Sequence, residues 1–180
     1  MFEKDAKNYH VWSYRQWLVR KFELWDRGEL EEVERLLLRD VRNNSAWNHR
    51  WFLVFGRYET GVDEAGNEIM ARELDYAKEA IRAAPQNESP WNYLRGLIRK
   101  SGRQFKELVP FAEEFAGIEE NTRVRSSYAL EILATAYAED DARREDARQA
   151  LDLLANKYDP IRANYWIYRK SLLEQDSAEP

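Results

Sequence analysis

The stretch Asn43-Asn44-Ser45-Ala46-Trp47-Asn48-His49-Arg50 returns, altered, along a chain of 180 residues. Asn8-Tyr9-His10-Val11-Trp12-Ser13-Tyr14-Arg15 repeats its Asn, Trp and Arg. Asn87-Glu88-Ser89-Pro90-Trp91-Asn92-Tyr93-Leu94 keeps Asn and Trp but has Leu94 where Arg is expected, with Arg95 one place late. Ala163-Asn164-Tyr165-Trp166-Ile167-Tyr168-Arg169 keeps Trp and Arg. Trp12 and Trp47 are 35 residues apart, Trp47 and Trp91 are 44 apart, and Trp91 and Trp166 are 75 apart. The last interval leaves room for a degenerate copy around Ser126-Ser127-Tyr128-Ala129-Leu130. A recurring block with two helices per period is the signature of a helical solenoid, because one hairpin cannot bury its apolar face alone and must stack on its neighbours. Asn at each start is suited to the orphaned N–H groups of a first turn. Trp is placed to fill the gap between layers, and Arg three residues on lies on a neighbouring face.

The rest of the chain agrees with an all-helical reading. Only seven Gly and five Pro punctuate it, and no β-branched alternating run bounded by Asn-Gly or Asp-Gly marks a strand. Apolar residues recur at helical spacing: Trp12, Trp17, Leu18, Phe22 and Trp25 on a first wide face, then Leu30, Val33, Leu36, Leu37 and Val41. Asp26 with Glu29 reads as a capping box, Asn44 and Ser45 as caps of a third helix, and Ser89 before Pro90 as a cap with proline at the first helical position. Residues 59–67, with Gly61 and Gly66, read as a longer loop. A sixth helix from Phe105 toward Gly117 is expected to bend at Pro110, and further helices run over 124–137, 147–158 and 161–173. The expected fold is a right-handed superhelix of nine helices in antiparallel hairpins. It forms one repeat domain over 1–174, with repeats near 5–42, 43–86, 87–122, 123–160 and a partial one at 161–174. Residues 175–180 are expected to fray.

Composition excludes several functions. Lys plus Arg is 28 and Asp plus Glu 33, a net charge of −5, which makes the whole chain a poor general binder of nucleic acid phosphates. No apolar run is long enough to span a membrane, and the start carries no secretory signal, so the expected compartment is cytoplasmic. Zero Cys removes disulfides and thiolate nucleophiles, and with only His10 and His49 the chain cannot build a Cys/His zinc site. His49 reads as an exposed helix-face residue, and Asp140-Asp141 as a solvated loop closing an Ala/Glu-rich helix.

The motif Asn-Tyr-x-x-Trp-x-x-Arg resembles the repeat of protein prenyltransferase α subunits. Residues 5–17, 40–48 and 87–94, and the terminal Tyr165-Trp166-x-Tyr168-Arg169-x-Ser171-Leu172, look like the α subunit shared by farnesyltransferase and geranylgeranyltransferase type I. The resemblance covers nearly the whole chain. Residues 40–48 and 87–94 favour that type over the related Rab-type α subunit. The family's subunit carries further hairpins before the block that opens here at Asp5, so the chain looks like the C-terminal half of one. A lysine of those earlier repeats, credited with assisting at the isoprenoid diphosphate, has no counterpart here; Lys7 holds the equivalent place in the following repeat.

The resemblance implies transfer of a farnesyl or geranylgeranyl group from its diphosphate to a cysteine near a protein's C-terminus. Such a reaction needs an activated thiolate and donors for the departing diphosphate. In the family, zinc and the isoprenoid pocket belong to the β subunit, with magnesium as a further ion there, so no cofactor is expected on this chain and the isolated chain should be inactive. Tyr9 and His10 match a Tyr-His pair that approaches the diphosphate and peptide from the α side, with Lys7 beside them. The expected partners are that β subunit and, through it, isoprenoid diphosphate and cysteine-bearing substrate proteins. The second reading is a free-standing helical-repeat scaffold that holds a peptide on its concave face. The first helix is aromatic around much of its circumference and a poor cap, which points to self-association through the N-terminal hairpin.

Overall fold

Asn8, Asn43 and Asn87 open three helices for the same physical reason. Each side-chain oxygen accepts a first-turn N–H, from His10 at 3.0 Å, from Ala46 at 3.3 Å and from Ser89 at 3.3 Å, which meets donors that a helix start leaves orphaned. The computed structural model describes residues 8–57, 64–119 and 122–175. Its helices are α1 (Tyr9–Lys21), α2 (Glu29–Arg39), α3 (Asn44–Phe55), α4 (Glu64–Ala83) and α5 (Glu88–Ser101). They continue with α6 (Val109–Ala112), α7 (Ser127–Ala138), α8 (Arg144–Leu153) and α9 (Ala163–Gln175). Among the described residues there is no strand, and no helix is long and apolar enough to cross a membrane.

Several boundaries differ from the sequence reading. The second helix starts not on an Asp26 box but on Gly28, whose φ of 82° needs no side chain, while Asp26 pairs with Arg57 at 2.8 Å. Asn43 rather than Asn44 or Ser45 caps α3. Asn87 rather than Ser89 is the acceptor at the start of α5, which leaves Pro90 inside the first turn, where its missing N–H has no intrahelical partner to lose. α4 begins at Glu64, so Gly66 and Asn67 are helical; residues 58–63 of the expected loop lie outside the described residues. Pro110 breaks the sixth helix rather than bending it. A 3₁₀ turn over Phe105–Leu108 hands over to the single turn α6, with Val109 donating to the Lys106 carbonyl. α8 ends in a π-turn over Leu154–Tyr158, closed by Asp159 N–H on the Leu154 carbonyl at 2.8 Å. α9 continues through Gln175, and the expected frayed stretch beyond it lies outside the described residues.

The chain divides into two compact units, Met1–Leu97 and Ile98–Pro180. In the first, α1, α3 and α5 are the opening helices of successive repeats. Trp12 packs on His49 with ring centroids 5.1 Å apart, and Trp47 packs on Tyr93 at the same separation. Gly96 lets α5 come close to Trp51, since a Cβ there would lie 2.9 Å from the indole. The signature tryptophans are latched as well as buried. Trp47 donates its indole N–H to the Val41 carbonyl and Trp91 to the Pro85 carbonyl, both at 2.9 Å and both six residues back. Asn87 donates to the same Val41 carbonyl at 2.7 Å, tying one inter-helix turn to the next. In the second unit α7 is buried on nearly every face and packs against α8, α6 and the 3₁₀ turn. Ser126 caps it, and Leu130, four residues on as Trp12, Trp47 and Trp91 are from their Asn caps, is fully buried. Trp166 is buried, donates to Asp159 at 3.1 Å and lies under the Arg162 guanidinium, while Arg169 donates to Thr135 at 3.2 Å. Asp140 caps the following turn through the Ala142 N–H, and Asp141 pairs with Arg144.

Trp47 is 2% exposed. Trp47→Ala is expected to destabilise by about 3–5 kcal/mol, while Trp47→Phe, which keeps much of the packing and loses the latch to Val41, is expected to cost about 1–2 kcal/mol. Urea unfolding of both variants checks this ordering.

Candidate functional site

The first turn of α1 carries Tyr9 and His10, the pair singled out for the diphosphate and peptide. Both are exposed, Tyr9 at 77%, and their rings meet edge to face with centroids 5.7 Å apart. Asn8 fixes the turn by accepting the His10 N–H. Lys7 lies outside the described residues. An open groove runs from His10 between α1 and α2, with Arg15 and Leu18 on one wall and Glu29, Glu32 and Arg35 on the other. Arg35 is held by a bidentate pair with Glu32, at 2.9 and 2.8 Å. Among the described residues no group of His, Asp and Glu side chains converges to hold a metal ion. What this surface offers is a phenol O–H and an imidazole, both donors suited to phosphate or carboxylate oxygens.

Two further aromatics of that first wide face are exposed. Trp17 is 51% and Phe22 61% exposed, and Trp17 stacks on Tyr14 and meets Phe22 edge-on. Of α1, Trp12 and Val19 are the residues that reach the core.

Beneath the groove the signature arginines reveal a joint that the sequence reading missed. Arg15 donates its Nε to Glu29 Oε2 at 2.7 Å, and His49 Nε2 lies 3.4 Å from the same oxygen. Arg50 donates to both Glu73 oxygens, at 2.6 and 2.8 Å, and the Tyr93 hydroxyl donates to Glu73 Oε2 at 2.6 Å. The two joints are equivalent. Each carboxylate sits on the second helix of a hairpin, takes the Arg of its own first helix, and takes the residue two after Trp in the next repeat. Arg and Glu are 14 residues apart in one joint and 23 in the other. That difference equals the one between the 35- and 44-residue tryptophan spacings, so the partner acids were legible in the repeat register. Tyr14 holds the same register place in the first repeat and is 59% exposed.

The second joint is sealed, with Arg50 and Glu73 1% and 0% exposed. Arg50 also reaches Glu34 at 2.9 Å and lies 3.6 Å over the Tyr76 ring. Burial works against its charge, but the bonds and charge of Glu73 outweigh it and push Arg50 further up. Burial and Glu73 push the Tyr93 phenol up, so it is a permanent donor.

The first joint contains the main correction. His49, expected on an exposed face, has no exposed surface, packed between Trp12 and Phe52. Burial, with Arg15 adding to it, pulls its pKa down from 6.5 to about 4 despite Glu29. Burial would raise Glu29, but Arg15 and then His49 hold it below the ordinary carboxylate value. The unfolded chain therefore protonates His49 more readily than the folded one does. Its contribution is intact above pH 6.5 and is lost as pH falls toward 4, on the order of 3 kcal/mol across the whole interval. Between pH 7.5 and 5.0, urea unfolding of the wild type should lose about 2 kcal/mol more than His49→Gln loses. Equal losses in the two proteins would assign the pH dependence elsewhere.

The geometry can now be set beside known proteins. The family described as the protein prenyltransferase alpha subunit repeat matches residues 1–22, 26–56 and 70–101. The protein farnesyltransferase/geranylgeranyltransferase type-1 subunit alpha of Candida albicans is 44% identical over 174 residues, covering 96% of this chain and 55% of that protein. Its namesake in Dictyostelium discoideum is 35% identical over 159 residues, covering 87% of this chain and 45% of that protein. The solved structure of Candida albicans protein geranylgeranyltransferase-I complexed with GGPP matches with a TM-score of 0.87 and 42% identity, over 96% of this chain and 56% of the other. The chain spans about half the length of the curated relatives it matches. With three segments matching the repeat and these relatives, the chain belongs to the protein prenyltransferase alpha subunit family.

Proposed function

We propose that this chain is the α side of a heterodimeric protein prenyltransferase, a cytoplasmic enzyme that moves a farnesyl or geranylgeranyl group from its diphosphate to a C-terminal cysteine of substrate proteins. The observation that carries this reading is the structural match, over 96% of the chain at 42% identity, to a geranylgeranyltransferase-I complexed with GGPP. In this reading the stacked first helices scaffold the catalytic β subunit. The β subunit supplies zinc, with magnesium at the diphosphate, and thereby the activated thiolate. This chain's own contribution is Tyr9 and His10, whose exposed O–H and N–H groups donate to oxygens that gain charge as diphosphate departs. Lys7, two residues before Tyr9 in the sequence, adds a cation to this set. The exposed Tyr14, Trp17 and Phe22 form the contact surface through which the free chain self-associates.

The test is co-purification with a type I β subunit, followed by GGPP binding and transfer to a peptide ending in the cysteine motif. The chain should be retained by the β subunit, and the free chain should transfer nothing. Removing one donor to a charged oxygen, by Tyr9→Phe or His10→Ala, should weaken GGPP binding roughly ten- to a hundredfold. Failure to bind any β subunit, with peptide binding by the free chain instead, would favour the scaffold reading.

A further inference from the structure

The two carboxylate joints of the first unit are completed by side chains of different chemistry. Tyr93 completes the joint at Glu73 with a phenol that stays protonated, whereas His49 completes the joint at Glu29 with an imidazole. The joint that can titrate is the one under the helix that carries Tyr9 and His10. α1 meets its neighbours through Arg15 on Glu29, Trp12 on His49, the buried Val19, and Arg20 lying 4.8 Å over the Phe52 ring. The contacts of Arg15 and Trp12 pass through the Glu29–His49 pair.

We propose that Glu29 and His49 are positioning residues for Tyr9 and His10: the joint seats α1 while the imidazole is neutral and releases it when the imidazole is protonated. The proposal rests on the role given above to Tyr9 and His10. The charged groups facing the ring are Arg15 from α1 and Glu29 from α2; Arg50 of its own helix is turned to Glu73 and Glu34. His49 Nδ1 is buried with no hydrogen-bond partner. A proton there creates an N–H with no acceptor and a second cation competing with Arg15 for one carboxylate. Trp12 and Arg15 lose their seat together, and the first turn moves with them.

Hydrogen exchange of the full chain, corrected for the intrinsic effect of pH, tests the seating. Between pH 7.5 and 5.0, protection of residues 9–21 should fall at least tenfold, selectively through an opening that costs less free energy than urea unfolding at either pH. His49→Gln, or His49→Tyr, which installs the chemistry of Tyr93, should remove the selective fall. A wild type in which residues 9–21 exchange only at the free energy of urea unfolding, or keep their protection at pH 5.0, overturns the proposal without reference to any variant. The β-subunit complex tests the positioning role. Between pH 7.5 and 4.0, where about half of the imidazole is protonated, GGPP affinity should drop about twofold more in the wild type than in His49→Gln, whereas His10→Asn should keep the acid drop. An acid drop removed by His10→Asn and kept by His49→Gln overturns the positioning role, as does α1 release with unchanged affinity. Absence of GGPP binding at every pH, with α1 release intact, overturns the proposed function instead.

Discussion

A carboxylate taken fully out of water at Glu73 must be met by donors on every side, and the first unit is organised around meeting it. Two bonds come from Arg50 and one from Tyr93, so one side chain on α4 fixes the rotation of α3 and the approach of α5. An unpaired charge at such a site would cost several kcal/mol, whereas a satisfied one adds little net stability over an apolar core. The joint is therefore better understood as a device of register. It admits one placement of successive repeats, and the latched tryptophans and the Asn87 bond to Val41 close the same stack from the other end.

This explains which parts of the fold were legible in the residues alone. Trp12, Trp47, Trp91 and Trp166 announced the repeat because large aromatics at fixed spacing have few roles other than packing, and the Asn caps announced the helix starts. The joints were not read. Glu29 and Glu73 sit among many surface acids, and nothing local separates a glutamate that meets a buried arginine from one that meets water. His49 was misplaced for the same reason. A polar residue two places after Trp reads as solvated until the preceding repeat is set against it. Trp17 and Phe22 were read on a wide aromatic face, too wide for all of it to be covered, and both are exposed. Gly28 and Pro110 show a third limit: capping and breaking depend on backbone angles that a capping-box pattern only approximates.

The same architecture places the candidate site. α1, α3 and α5 start on equivalent Asn caps, and Tyr9 and His10 occupy the capped first turn of α1. A donor pair on a helix held by buried packing and one ion pair has a defined position without needing a loop, as a group that must meet developing charge requires. The first joint is less sealed than the second, with Glu29 20% exposed against 0% for Glu73. The part of the stack nearest the site is thus the part most open to water and protons.

The central claim is that the inter-repeat carboxylate couples one repeat to the next, and a double-mutant cycle between Glu73 and Tyr93 tests it most directly. Glu73→Gln, Tyr93→Phe and the double variant should be compared with the wild type by urea unfolding at pH 7.5. The account predicts a coupling energy of at least about 1.5 kcal/mol, the range for a hydrogen bond to a buried charge. Additivity to within about 0.5 kcal/mol would show that the repeats stack by apolar packing alone and that the joint sets nothing.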